Sequence, residues 1–216
     1  MKKLEKIGWG IVIALALITS VAAIGRFVTL TSGAEQKTPI DASGTFDVRY
    51  SQNPVLTNLH MLPGVIFMIL GPLQFSRRIR AKWLGFHRWS GRVFLVIGLA
   101  GAIFGMALAI RLPAFGGLNT TVATYFFGLI FVFCAMKAYY HVRRREILLH
   151  REWMMRAFAI GLGVSTIRIV VAVFVILAHQ RMEEVFGIAF WLGWSINLIA
   201  AEVWINLTRV RPHAVA

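Results

Sequence analysis

Arg77-Arg78-Ile79-Arg80-Ala81-Lys82, then His87-Arg88-Trp89-Ser90-Gly91-Arg92, then an uncharged run from Val93 to Ile110 decide the fold. A basic segment followed by about twenty apolar residues is what a chain needs to enter and cross roughly 30 Å of hydrocarbon. The pattern returns in Arg143-Arg144-Arg145 and His150-Arg151-Glu152-Trp153-Met154-Met155-Arg156, again ahead of a long apolar run. Both phrases read His-Arg, then Trp, then Arg.

Working outward, six spans emerge from the apolar runs and their breaks: Ile7 to Leu30, Pro54 to Phe75, Trp89 to Ile110, Thr121 to Tyr140, Trp153 to Ala178 and Val185 to Leu207. A polar segment, 31–53, separates the first two. The expected fold is therefore an all-α integral membrane protein forming a single membrane domain. Composition agrees. The chain has 216 residues, 58% of them hydrophobic and 15% charged, against about 25% charged in ordinary soluble domains.

Charge orients the spans. Lys2, Lys3 and Lys6, the Arg77–Arg88 stretch, the Arg143–Arg151 stretch, and Arg209 with Arg211 all fall on one side. The positive-inside rule makes that side cytoplasmic, with both termini there. Trp83, Trp89, Trp153 and Trp204 mark the same interface, and Trp191 and Trp194 the other. The expected location is a bacterial cytoplasmic (inner) membrane. The formal charge of +14 is thereby explained by topology, with anionic phospholipids as counterions and no nucleic-acid partner. The first span also resembles a secretory signal peptide, with small residues at Ser20-Val21-Ala22-Ala23. Its length favours a retained helix.

Cys134 is the only cysteine and lies in an apolar run, so neither an intrachain disulfide nor a thiolate cluster can form. No hydrolase triad, phosphate loop or His-Glu-x-x-His helix occurs. With nine acidic residues, paired-carboxylate catalysis has little material. Enzymatic activity is left open.

Spans two–three and four–five each make a basic turn and return through the repeated phrase. Two like-oriented hairpins imply a pseudo-twofold axis along the membrane normal, and a central four-helix bundle of duplicated hairpins. His87 and His150 would then stand at one depth near the cytoplasmic face, flanked by Arg92 and Arg156. The duplication is imperfect: the position matching His60 falls at Ala123, near Tyr125.

From about His60 onward the chain resembles a bacterial multi-pass membrane family designated a domain of unknown function (number 2306). The matching features are Leu59-His60, Gly71-Pro72-Leu73-Gln74-Phe75, the two His-Arg phrases, and Arg168 in Thr166-Ile167-Arg168. That resemblance implies architecture and no activity. Paired histidines on parallel hairpins are also similar in layout to the membrane b-type cytochromes.

Ionisable groups at membrane depth face an interior, a partner or a cavity. An inner layer holds Gln74, His87, Arg92, Lys137, His150, Arg156 and Glu202, with Arg156 and Glu202 at matching depth on adjacent spans. An outer layer holds Arg26, His60, Arg111 and Arg168. Arg168 has no acid expected at its depth, so it either snorkels or binds an anionic group.

Three functions follow. One is a haem b redox protein, with His87 and His150 as haem-iron ligands, Arg92 or Arg156 on the propionates, and quinone or a redox protein as partner. Another is a cofactor-free lipid-interacting or transport protein, which predicts a cavity reaching polar residues such as Asn197. The last is a structural subunit of a membrane complex.

Overall fold

The computed structural model describes residues 2–32, 50–111 and 115–209. Most of the polar segment, 33–49, and the basic-side Arg211 lie outside the described residues. Among those described there is no strand. Six helices are long and apolar enough to cross a membrane.

We number the helices α1 (Lys2–Ser32), α2 (Pro54–Phe75), α3 (Arg77–Lys82), α4 (Leu84–Arg111), α5 (Gly117–Arg143), α6 (Ile147–Ala172) and α7 (Met182–Thr208). Pro54 opens α2, where its missing N–H costs nothing. Ser76 ends α2 in an extended conformation, and its hydroxyl accepts from the Ile79 amide to start the short basic α3. Gly116, just before α5, and Gly117, its first residue, both have positive φ, a conformation that favours glycine. α6 runs into a π-helical turn, Val173–Leu177, closed by the Ala178 amide donating to the Val173 carbonyl at 3.3 Å.

The helices overrun the expected spans on the basic side. α4 begins at Leu84 rather than Trp89, and α6 at Ile147 rather than Trp153. Hydropathy marks where lipid begins, whereas the backbone must satisfy its hydrogen bonds through the interface as well. The His87 amide thus donates to the Trp83 carbonyl at 3.0 Å, and the His150 amide to the Glu146 carbonyl at 2.9 Å.

α2 packs on α4 and α5 on α6, as two hairpins, and α4 also packs on α5. α1 lies against α2 and α6, and α7 against α5 and α6, so α6 is the most surrounded element. Glu5 in α1 meets Arg77 at 3.3 Å, and Arg209 after α7 meets Glu152 at 2.6 Å. The start of α1 and the end of α7 therefore share one end of the bundle with the two basic turns. We call this the basic end.

The core is a layer of phenylalanines. Phe67 stacks on Phe94 with ring centroids 4.2 Å apart and meets Phe131 and Phe158 at 5.7 and 5.8 Å. Gly98 and Gly161 make room for it: a Cβ at either would come within 2.9 Å or 2.5 Å of the Phe67 ring. Gly98 stands as far beyond His87 as Gly161 does beyond His150, so equivalent positions of the two hairpins clasp one ring from opposite sides. The position matching His60 does not follow the symmetry. Ala123, in the place of His60, is fully buried.

Candidate functional site

Two groups of polar side chains sit at membrane depth, one at each end. At the basic end, His87 and His150 each occupy the fourth position of their helix. The His150 Nδ1 lies 2.8 Å from the Ala138 carbonyl, which fixes the ring and leaves Nε2 open. The buried His87 Nδ1 has no hydrogen-bond partner among the described residues. His141, a possible substitute, is held at 2.5 Å by the Glu146 carboxylate.

The expected flanking arginines are elsewhere. Arg92 is exposed on α4. Arg156 donates twice to Glu202, from Nε at 2.5 Å and from the guanidinium tip at 2.9 Å. Glu152 lies 4.0 Å from Arg156 and accepts two bonds from Arg209. The pair expected from matching depth is present, and it extends into a four-membered network that ties α6 to α7. Arg156 also lies over the Trp153 ring at 4.7 Å, and Lys137 over the same ring at 5.7 Å.

A packed layer lies next to the two histidines along the bundle. One turn above His87, the buried Gln74 amide donates to the Ser90 hydroxyl at 2.6 Å, and Ser90 donates to the Phe86 carbonyl. One turn further, Phe94 and Phe158 meet across the bundle with centroids 6.0 Å apart. Neither imidazole lines the basic-end groove or the far-end cavity described below. Of the two arginines expected beside the histidines, Arg156 is engaged by Glu202 and Arg92 is exposed.

The opposite end has the cavity. A space of about 200 Å³ is lined by Arg26, Tyr50, His60, Thr120, Thr124 and Arg168, with Phe186, Phe190 and Trp194 among its apolar walls. The His60 Nδ1 lies 2.8 Å from the Gly101 carbonyl. Gly105 admits the imidazole, since a Cβ there would sit 2.9 Å from the ring. Arg26 lies over the Tyr50 ring at 4.4 Å. Thr120 and Thr124 donate to the Phe115 and Thr120 carbonyls. Arg168 donates to the Val164 carbonyl of its own helix at 3.0 Å and makes no ion pair with any described residue.

A groove of about 290 Å³ lies at the basic end, between α1 and α7 on the face of α6, and reaches Asn197. Arg80, outside the membrane-spanning helices, stands at its mouth. Burial, with the Arg151 and Arg77 guanidiniums nearby, lowers the Arg80 pKa below the ordinary arginine value. The groove and the far cavity both follow the α1–α6 contact and are separated by a hydroxyl layer. Thr19 is hydrogen-bonded to Ser165, which donates to the Leu15 carbonyl.

Residues 57–205 match the family model described as a predicted membrane protein, DUF2306. The chain belongs to the DUF2306 family. The match covers α2 to α7 and leaves out α1, although α1 contributes to both the groove and the far cavity. No curated protein and no solved structure matches this DUF2306 protein.

Sequence reasoning singled out His60 and Arg168 but missed Tyr50, Thr120 and Thr124, which reach the cavity from other elements. The available signal was the recurrence of Thr and Ser inside apolar runs. It also missed the Thr19–Ser165 layer.

Proposed function

We propose that this DUF2306 protein binds a small anionic group in its far-end cavity, as a lipid-interacting or transport protein of the membrane. One observation carries the reading: the guanidinium of Arg168 lines a cavity and has no carboxylate among the described residues. An arginine at membrane depth costs roughly 2.5–3.5 kcal/mol even on the lenient insertion scale. A bound carboxylate or phosphate would offset that cost through charge-assisted, bidentate hydrogen bonds. His60 and Tyr50 add polar groups beside it, while Phe186 and Trp194 exclude water.

Size limits the ligand. About 200 Å³ lies below the roughly 300–1,000 Å³ of pockets for drug-sized molecules, so the cavity suits a headgroup or a short organic anion. Isothermal titration of the purified protein with short-chain carboxylates and phosphate monoesters tests this. Saturable binding that Arg168→Gln weakens about tenfold or more supports the reading. Binding unchanged in that variant, or none by any such anion, overturns it.

Haem-dependent electron transfer, with His87 and His150 as ligands and quinone as partner, is the second reading. Its support is the open Nε2 of His150 and the unpartnered Nδ1 of His87. Absorbance of protein purified from haem-replete cells decides it. A stoichiometric Soret band lost in His87→Ala and His150→Ala would establish it, and its absence would remove it.

A further inference from the structure

α1 and α7 both pack on α6, yet their backbones do not meet; the Trp204 ring of α7 reaches toward α1, 3.7 Å from where a Cβ on Gly8 would stand. The gap is the basic-end groove. Its floor is Phe158 and Leu162, and its walls include Val12 and Leu15 from α1 and Ala201 and Trp204 from α7. The lining is therefore apolar along a length of α6, from Arg151 to Leu162, of about 16 Å. Such a slot accepts a hydrocarbon chain and offers it few polar partners.

The mouth has the opposite character. Arg77, Arg80 and Arg151 converge there with one carboxylate, Glu5, which already pairs with Arg77. Arg80 is held by its own chain: one terminal nitrogen donates to the Phe75 carbonyl at 3.0 Å and, at 3.4 Å, to that of Gln74. This caps the end of α2 and leaves the remaining guanidinium N–H groups without a hydrogen bond to any described residue. Arg151 is part-buried, lies close enough for its charge to act on Arg80, and has no ion pair with a described residue. Two guanidiniums that line one mouth, neither paired with a described carboxylate, suit the oxygens of a phosphate.

The geometry points to a binding site for an acyl chain ending in a phosphate, with the chain in the α1–α7 groove and the phosphate on Arg80 and Arg151. This site is separate from the far-end cavity, since the Thr19–Ser165 layer lies between them. The ligand is a phosphate monoester on a hydrocarbon tail, supplied by a membrane phospholipid or by a single-chain alkyl phosphate. Ordinary boundary lipid would fill the same groove without regard to its headgroup, so headgroup selectivity distinguishes the two.

Native mass spectrometry of the full chain in detergent tests the proposal, with dioleoyl phosphatidic acid, dodecyl phosphate, phosphatidylcholine and inorganic phosphate as probes. One phosphatidic acid or dodecyl phosphate should be retained per protein, about tenfold more tightly than phosphatidylcholine. Arg151→Gln, which leaves the Arg80 cap of α2 intact, should cost about tenfold in affinity. Ala201→Phe should fill the groove and cause a similar loss without changing charge. Retention of phosphatidic acid over dodecyl phosphate assigns the source to the bilayer, and equal retention assigns it to the shared phosphate and chain. Equal retention by wild type and both variants overturns the site. So does inorganic phosphate binding as tightly as the lipid, or no preference over phosphatidylcholine.

Discussion

Arg156 and Glu202 face each other across the α6–α7 contact with both ends of the guanidinium fork engaged, at 2.5 and 2.9 Å. Side-chain exposure differs between the partners, 15% for Arg156 and 42% for Glu202. Removing one partner from a fully buried pair costs about 3–5 kcal/mol. The exposed carboxylate is screened, so Glu202→Gln should cost about 1–3 kcal/mol. Arg156→Gln should cost at least as much, because it also removes the contact with Trp153 and leaves the Glu202 carboxylate without its arginine, while Glu152 keeps Arg209. Thermal unfolding in detergent checks this, and Arg156→Leu combined with Glu202→Leu should recover much of the loss. If neither single variant shifts the melting temperature, the pair is not holding α6 to α7.

Some glycines of the bundle admit a ring, and others face open space. At Gly71 a Cβ would come within 2.1 Å of Phe158, and at Gly161 within 2.5 Å of Phe67. Alanine at either should destabilise by about 1–3 kcal/mol through overpacking. At Gly64 nothing lies within 4 Å, so alanine there should be neutral or should stabilise by up to about 1 kcal/mol through helix propensity. Comparing the three variants by thermal unfolding separates close packing from a general effect of the substitution. Equal effects at all three would contradict the clasped-ring arrangement.

Six spans could be read from the sequence because each buries its backbone polarity internally and shows only side-chain hydropathy to lipid. Helix starts were less legible. His87, Arg88 and Arg151 are charged or polar and look like loop, yet their amides continue the helical ladder. The Arg156–Glu202 pair was legible because depth on adjacent helices follows from counting residues. The far-end cavity was not. It arises where Tyr50, His60, Thr120 and Arg168 converge from separate elements, and no spacing in the chain encodes that convergence. The haem expectation rested on paired histidines at matching positions with arginines nearby, and His87 and His150 do each stand fourth in their helices. Position along a helix says nothing of what packs next to it, and Gln74, Ser90, Phe94 and Phe158 make up the layer beside the histidines.

His60 depends on a neighbour without a side chain. Its ring lies against Gly105, and its Nδ1 bonds to the Gly101 carbonyl at 2.8 Å. Gly105→Ala would place a methyl 2.9 Å from the imidazole, so the ring must rotate or the helices must part. The expected outcome is loss of the His60–Gly101 bond and a smaller cavity, with anion affinity reduced about tenfold and melting lowered by a few degrees. The His60 ring signals in a selectively labelled sample report the displacement directly. Unchanged signals and unchanged affinity would mean that this contact does not shape the cavity.

The Thr19–Ser165 layer makes a directional prediction for Asn197. Its side chain donates to Thr166 and to the Gly193 carbonyl, at 2.5 and 2.8 Å, and lines the basic-end groove but not the far-end cavity. In Asn197→Cys the new thiol should react with a membrane-impermeant reagent from the basic end and stay protected from the other. Background is low, because the native Cys134 is buried within α5 and out of reach of an aqueous reagent. Transport requires that α1 and α6 separate at this layer, so Thr19→Val with Ser165→Ala, which removes its hydroxyls, should alter the rate at which the far side gains access during anion exposure. Labelling of Asn197→Cys from both sides in the resting protein would show the cavities already joined and would rule out this layer as the barrier. Protection from both sides under every anion condition would count against transport, leaving the far-end cavity as a binding site alone.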